Sequence, residues 1–472
     1  MSNQQSSAPI QENKMGTMPI GKLVFNMSLP MMVSMMVQAL YNIVDSIFVA
    51  KLSENALTAV SLAFPLQTLL IAVGTGTGVG MNALLSKSLG EKDFKKANKT
   101  ATNAAFIYAV SYIVFLILGF TVVKPFYRSQ VGSADAEIMT MGVDYLSTVM
   151  IFSFGIFTQV FFERLLTSTG RTIFSMTSQL SGAVTNIILD PILIFGMFGA
   201  PKMGVTGAAV ATVIGQCVAG LVAGTCNHKF NHEVRFQFKG FKPDFKIIGT
   251  IYAVGIPSII MSALVSVLTF GMNIILKAYE PAAATVFGVY FKLQSFVYMP
   301  VFGMNNGIVP IIAYNYGAGK PKRITDTLKL GVICSVAIMT VGLLLFQLIP
   351  VQLLGMFAPT DDMIRLGETA LRIFSVSFVF AGVSIVLSSG FQALGNGFYS
   401  MIVFIVRLIV PTLPFAWLFG IIGGVDCIWW SLPVSDLLGL IVAILLMRRI
   451  YKNVISKMYD KQDESSAQVQ QA

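Results

Sequence analysis

Long apolar stretches, each long enough to cross a membrane, recur along the whole chain. A membrane-spanning helix needs about 20 mostly apolar residues. Twelve stretches meet this requirement, at residues 23–50, 56–82, 101–123, 138–162, 168–196, 205–226, 247–276, 284–310, 329–350, 370–392, 400–423 and 428–449. The pattern therefore predicts an all-α polytopic membrane protein with twelve transmembrane helices. An even number of spans places both chain ends on the same side.

The composition supports a membrane protein. Charged residues make up 11% of the 472 residues and AVILMFWYC make up 55%, whereas a soluble domain is about 25% charged. These proportions exclude a water-soluble enzyme, and the 36 Phe and 25 Met residues exclude a disordered chain.

The lysines and arginines are unevenly distributed between the two sides. Of 32 such residues, 23 fall on the side of the chain ends, 7 on the other side, and Lys292 and Arg407 within spans. Loops rich in Lys and Arg face the cytosol, so we expect a cell-membrane protein with both termini cytosolic. This distribution also explains the net charge of +10 without a nucleic-acid partner.

The chain contains a tandem repeat. A shift of 227 residues places Pro30 on Pro257 and Gly90 on Gly317. Six spans per repeat predict two lobes related by a parallel pseudo-two-fold axis, which enclose a central cavity. The expected division is a disordered N-terminal tail (1–21), an amino-terminal lobe (22–226), a basic cytosolic linker (227–246), a carboxy-terminal lobe (247–450) and a cytosolic C-terminal tail (451–472).

The first span carries a polar stripe. Gln38, Tyr41, Asn42 and Asp45 follow one another at i, i+3, i+4 and i+7, so their side chains share one helical face. Pro30, earlier in the same span, removes a backbone hydrogen bond and permits a bend. It is either a hinge or a plain kink.

The fifth span carries a second carboxylate. Asn186 and Asp190 share a face at i and i+4, and Gln179 lies two turns earlier. Two membrane-embedded carboxylates with amide neighbours hold either a proton or a sodium ion. The alternatives are a helix-end acid beside Lys51 for Asp45 and an ordinary Asp-Pro helix end for Asp190. No acid matches either one in the second repeat, so the predicted ion site belongs to the first half.

Other charged residues also fall within the spans. Glu163 and Arg164 lie near a cytosolic helix end and are interpreted as an interfacial anchor. For Lys292 and Arg407, contact with a substrate in the cavity and a structural ion pair remain equal alternatives. The role of Asp436 is open.

The sequence lacks the usual signatures of cofactor binding and hydrolysis. The span at residues 56–82 is rich in glycine, but its spacing indicates close helix packing rather than a phosphate-binding loop. The glycines are Gly74, Gly76, Gly78 and Gly80. There is no P-loop for ATP, the four cysteines are scattered, and both histidines fall in the linker. We therefore expect no metal site, no cofactor and no enzymatic activity.

Several of these motifs together resemble the multidrug and toxic compound extrusion (MATE) transporters. They are Pro30 with Tyr41-Asn42-Ile43-Val44-Asp45-Ser46, Asn186-Ile187-Ile188-Leu189-Asp190-Pro191, and Asn315-Tyr316-Gly317-Ala318-Gly319 followed by Arg323. The resemblance covers residues 20 to 450 and is strongest to the MepA/DinF-type branch. The NorM-like branch has acids in the seventh and tenth spans, where this chain has none.

The resemblance implies a secondary active antiporter that exports amphipathic, often cationic, compounds in exchange for H⁺ or Na⁺. It implies a cation-coupling site formed by Asp45, Asn186 and Asp190, to which Na⁺ would also bind, with a hydroxyl from Thr212 or, alternatively, Thr206. The partners implied are drugs and the bilayer, with neither ATP nor nucleic acid, and the protein is expected to be a monomer.

Two other functions remain open. A flippase for a lipid-linked precursor shares the duplicated layout, but it needs a strongly cationic cavity, for which Lys292 and Arg407 are the candidates. An intramembrane enzyme needs reactive groups clustered at one depth, and the two deep acids give it little support.

Overall fold

A computed structural model describes residues 12–131, 135–357 and 360–471. Within them the chain folds into nineteen α-helices: α1 Lys14–Thr17, α2 Ile20–Ala50, α3 Glu54–Gly90, α4 Phe94–Thr121, α5 Val123–Val131, α6 Ala136–Ile151, α7 Phe154–Ser168, α8 Thr172–Phe195, α9 Val205–Phe230, α10 Phe245–Tyr279, α11 Pro281–Gly317, α12 Pro321–Leu348, α13 Pro350–Gly355, α14 Asp361–Ser375, α15 Ser377–Ala393, α16 Gly397–Leu408, α17 Thr412–Ile428, α18 Ser431–Ile450 and α19 Ser456–Gln471.

The predicted all-α architecture is confirmed. Eleven helical segments of the described chain are long and apolar enough to cross a membrane, and the pair α6 and α7, bent by 43°, supplies the twelfth. Polar residues begin several spans by accepting backbone N–H groups, as Ser53 does for α3 and Asp93 for α4. Such N-caps satisfy donors that the first helical turn leaves unpaired.

The two halves meet where helices cross closely, α2 against α11 and α3 against α10. Gly76 and Gly80 of α3 face the backbone of α10 at Gly255 and Ile251, where a Cβ atom would clash. Close helix packing, predicted for Gly74, Gly76, Gly78 and Gly80, is therefore confirmed for Gly76 and Gly80. Gly303 of α11 lies equally close to the backbone of α2.

A third crossing brings the ends of α3 and α11 together. A Cβ on Gly90 would meet the carbonyl oxygen of Tyr314, and a Cβ on Gly317 would meet that of Lys87. The Lys87 ammonium also lies 4.6 Å from the ring centroid of Tyr316. The repeat-related pair Gly90 and Gly317 thus allows the halves to touch backbone to backbone.

The segment before α2 joins both halves at this end. Asn13 Nδ2 donates to the Thr169 carbonyl at 3.0 Å and to Glu233 of the linker. Arg323 donates to the carbonyls of Met15 and Met18 at 3.0 and 2.7 Å. The expectation of a disordered tail is thus wrong for residues 12–21, while residues 1–11 lie outside the described chain.

The C-terminal segment reaches the same region, since the Tyr459 hydroxyl lies 3.2 Å from Thr325 Oγ1. We call this end of the molecule, where the linker and both terminal segments gather, the linker end.

The carboxyl group of Glu233 in the linker is partly removed from solvent at this end, and this burial raises its pKa. The hydrogen bonds that it accepts from Asn13 and its ion pair with Arg171 act in the opposite direction.

Replacing Gly90 by Ala should destabilise the crossing of α3 and α11. The added methyl group meets a backbone carbonyl that cannot rotate away, a form of overpacking that typically costs about 1–3 kcal/mol. We expect the Gly90→Ala protein to melt at a lower temperature than the wild type in detergent. Gly249→Ala is the matched control, since a Cβ there meets nothing within 4 Å. Equal melting temperatures for the two variants would contradict this close contact.

Candidate functional site

A central cavity of about 530 Å³ lies between the two halves. Its walls come from α2, α3, α7, α8 and α9 on one side and from α10, α11, α15 and α16 on the other. Apolar side chains are interspersed with neutral polar ones, mostly amides: Gln38, Asn42, Gln67, Asn82, Gln159, Gln179, Asn186, Gln216, Asn305, Asn306 and Gln392. The volume lies within the range of sites for drug-sized molecules.

Next to this cavity, the structure brings together three of the four predicted cation-coupling residues, Asn186, Asp190 and Thr212. Asn186 Nδ2 lies 3.3 Å from Asp190 Oδ1 and 3.4 Å from Thr212 Oγ1. Asp190 is fully buried, and its helix α8 packs against α2, which carries Asp45. Asn186 and Thr212 line the cavity, whereas the two carboxylates lie outside its lining. Thr206 makes no such contact, so the geometry favours Thr212.

Three oxygen atoms of the predicted cation-coupling residues are buried without a hydrogen-bond donor: Asp45 Oδ1, Asn186 Oδ1 and Asp190 Oδ2. Buried polar atoms without partners are rare and call for an explanation. Carboxylate and amide oxygens are acceptors, so a bound proton or a hard cation such as Na⁺ would satisfy them.

The helices place the two carboxylates inside the span rather than at its ends. Asp45 lies more than one turn before the end of α2 at Ala50, and α8 continues past Pro191 to Phe195. The alternative interpretation of Asp190 as an ordinary Asp-Pro helix end is therefore wrong.

The remaining predicted residues of the amino-terminal half divide into two groups. Gln38, Tyr41, Asn42 and Gln179 line the cavity, but Pro30 does not. Helix α2 runs through Pro30, and the Asn26 carbonyl that the proline cannot pair with has Thr172 Oγ1 at 3.5 Å.

Lys292 and Arg407 do not line the cavity, so the expectation that they contact substrate there is not met. Lys292 is exposed on α11 with its ammonium group 5.9 Å from the Phe357 ring. Arg407 is buried in the carboxy-terminal half, where its Nε donates to Asp436 Oδ1 at 2.5 Å. The ion-pair alternative is therefore correct for Arg407.

Glu163 and Arg164 are the charged side chains among the residues that line the cavity, so their interpretation as an interfacial anchor is wrong. Glu163 is buried and accepts hydrogen bonds from Gln159 Nε2, Ser178 Oγ and Gln179 Nε2 at 2.9 to 3.2 Å. Arg164 Nη1 donates across the two halves to Asn306 Oδ1 at 2.9 Å. The i, i+4 spacing of Gln159 and Glu163 was a sequence signal that these residues share a polar face.

Comparisons with known proteins agree with this architecture. The family model MatE matches residues 30–192 and again 257–418, and the second match begins 227 residues after the first. The multidrug export protein MepA of Staphylococcus aureus is 27% identical over 446 residues, covering 91% of this chain and 94% of that protein. MepA of Staphylococcus haemolyticus is 29% identical over 435 residues, covering 91% and 93%.

Solved structures show the same fold. An outward-facing multidrug resistance MATE family transporter of the MOP superfamily superposes with a TM-score of 0.89 at 24% identity, covering 96% of this chain and all of that one. A MOP superfamily transporter from Pyrococcus furiosus superposes with a TM-score of 0.88 at 23% identity, covering 96% and 100%. The duplicated family match, the relatives and the two-lobed fold together show that this chain belongs to the MATE (MatE) family of multidrug efflux transporters.

Proposed function

We propose that this transporter is an antiporter that exports amphipathic, often cationic, compounds in exchange for H⁺ or Na⁺. The observation that carries this proposal is the group of buried oxygens without donors at Asp45, Asn186 and Asp190, directly beside a drug-sized cavity. A cation that moves inward binds the carboxylates of Asp45 and Asp190 and neutralises them. The exported compound binds in the cavity, whose wall is formed in part by the same helices, α2 and α8.

Coupling requires that the ion and the compound favour different conformations. A cation at Asp45 and Asp190 removes the repulsion between α2 and α8, and α2 bends at Pro30. This bend reshapes the wall formed by Gln38 and Asn42, which releases the compound. The two lobes then rock about the central site to expose it to the other side.

The linker end is proposed to face the cytosol because it carries most of the Lys and Arg residues. In the conformation described, the crossing of Gly90 and Gly317 and the bonds of Arg323 to residues 15 and 18 hold this end together. They must separate for the cavity to open to the cytosol. We place the protein in the cell membrane. We propose that it works as a monomer, because the two lobes of one chain enclose a complete cavity.

The charge of the cavity supports export of drugs over flipping of a pyrophosphate-linked lipid. A pyrophosphate group needs several cations around it. Arg164 is the cation among the lining residues and has Glu163 next to it, while Lys292 and Arg407 lie elsewhere. The named relatives are multidrug export proteins, which favours a drug as the substrate here as well.

Dye efflux from proteoliposomes tests the proposal. The purified protein is reconstituted with a fluorescent cationic dye, and an imposed pH gradient and an imposed Na⁺ gradient are applied separately. We expect one of the two gradients to drive efflux in the wild type, and that gradient identifies the coupling ion. Neither gradient should drive efflux in the Asp45→Asn variant. No dye movement in the wild type under either gradient would overturn the proposed antiport.

A further inference from the structure

A second pocket, separate from the transport cavity, lies at the linker end. It has a volume of about 630 Å³ and is formed by the first turns of α4, the second half of the linker and the start of α10. Residues 99, 102 and 103 of α4 form one wall, and residues 237 and 239–246 form the other. None of these residues contributes to the transport cavity.

Hydrogen bonds hold the linker against α4 and thereby fix the shape of the pocket. The backbone N–H of Arg235 donates to Asn98 Oδ1 at 2.7 Å, and that of Gln237 to Thr102 Oγ1 at 3.1 Å. The backbone N–H of Asp244 donates to Asn103 Oδ1 at 2.8 Å. The pocket is thus a built feature of the fold rather than a gap beside a loose loop.

The pocket is strongly basic. Lys99, Lys239, Lys242 and Lys246 line it and are exposed, and none has an ion-pair partner within the described chain. Among the described residues that line the pocket, Asp244 is the one acid. Its Oδ1 accepts the backbone N–H groups of residues 246 and 247. Four positive charges therefore surround a site whose single carboxylate caps a helix.

Exposed aromatic side chains border the lysines. Phe245 is 80% exposed, Phe238 is 62% exposed, and Phe106 packs against Phe241 at 5.8 Å. Beyond Phe106, exposed apolar side chains continue along α4: Val110, Ile113, Val114 and Ile117. The pocket therefore lies where the lipid-facing surface of a span meets the polar surface, which is the depth of the lipid headgroups.

We propose that this pocket binds the phosphodiester headgroup of an anionic phospholipid, with the lysines on the phosphate and the lipid chains against Phe106, Phe238 and α4. Basic pockets between transmembrane helices on the cytoplasmic side are suited to such headgroups. Bound lipid would tie the linker between the two lobes to the membrane surface. This inference does not depend on the compound or the ion that the protein transports.

Native mass spectrometry of the full-length protein tests the site. The wild type and a variant with Lys99, Lys239, Lys242 and Lys246 changed to Gln are titrated with phosphatidylglycerol and with phosphatidylcholine. A matched control changes four other exposed lysines at the linker end, Lys95, Lys322, Lys329 and Lys452, to Gln. We expect phosphatidylglycerol binding to weaken about tenfold or more in the pocket variant, since each lysine near the surface contributes to anionic lipid affinity, and to persist in the control.

Equal losses in the pocket variant and the control would overturn the proposal, because only net charge would then matter. Unchanged binding in both would overturn it as well. A second variant, Phe238→Ser with Phe245→Ser, separates lipid from free phosphate: it should weaken phosphatidylglycerol binding and leave binding of inorganic phosphate unchanged. If inorganic phosphate alone binds the wild type as tightly as the lipid does, the site recognises soluble anions and the lipid assignment fails. All changed side chains are exposed, and a cooperative melt of each variant verifies folding.

Discussion

The Asp190→Asn variant is expected to fold and insert normally but to lose ion-driven export. The substitution keeps the shape of the side chain and its place beside Asn186, but it removes the charge that a proton or Na⁺ neutralises. Substitution of groups that merely support a metal ligand already costs about 10- to 100-fold in affinity, so loss of a ligand should cost at least that much. Dye efflux in proteoliposomes should fall to the level of protein-free vesicles, and Asp45→Asn should behave in the same way.

Two controls separate this loss from a folding defect. Asp144→Asn changes an exposed carboxylate of α6 in the same half, and its efflux should match the wild type. The melting temperature of Asp190→Asn should be equal to or above that of the wild type, because an unpaired buried carboxylate is more costly than a neutral amide. Wild-type efflux in both Asp190→Asn and Asp45→Asn would rule out the assigned cation site.

The sequence was sufficient to predict the spans, the repeat and the shared helical face of Asn186 and Asp190. Apolar length and lysine distribution are properties of the chain alone, and the i, i+4 spacing of Asn186 and Asp190 fixes a shared face on any helix. Bringing Asp45 next to Asp190 requires the packing of α2 against α8, which spacing does not specify. The resemblance to a known family supplied that step.

The sequence analysis interpreted Glu163 wrongly and left the role of Arg407 undecided between substrate contact and an ion pair. Both are charged residues within spans, and a charge is stable there in the cavity wall, at the interface or in a buried pair. The partners that decide between these cases are Ser178 and Gln179 for Glu163 and Asp436 for Arg407, which are 15, 16 and 29 residues away. Only the packing of α7 on α8 and of α16 on α18 identifies them. The basic pocket was equally invisible, because its four lysines were interpreted only as a topology signal.

The Arg407→Met variant is expected to be severely destabilised. Arg407 and Asp436 are both buried, and their contact is the hydrogen-bonded ion pair that joins α16 to α18. Removing one partner of a buried pair leaves an uncompensated charge and typically costs about 3–5 kcal/mol. The melting temperature and the yield of folded protein from membranes should both fall sharply. Lys292→Met, which removes an exposed lysine of α11 in the same half, should leave both unchanged.

The double variant Arg407→Met with Asp436→Leu distinguishes a structural pair from a functional one. Replacing a whole buried ion pair by apolar side chains of similar volume is often neutral or stabilising, and the Phe404 and Tyr298 rings that surround the guanidinium at 5.4 and 5.9 Å would pack well against a methionine. The double variant should therefore regain most of the stability lost in Arg407→Met, together with ion-driven dye efflux. A stable double variant without efflux would show that this pair in the carboxy-terminal lobe takes part in transport, and that the amino-terminal acids alone do not account for coupling.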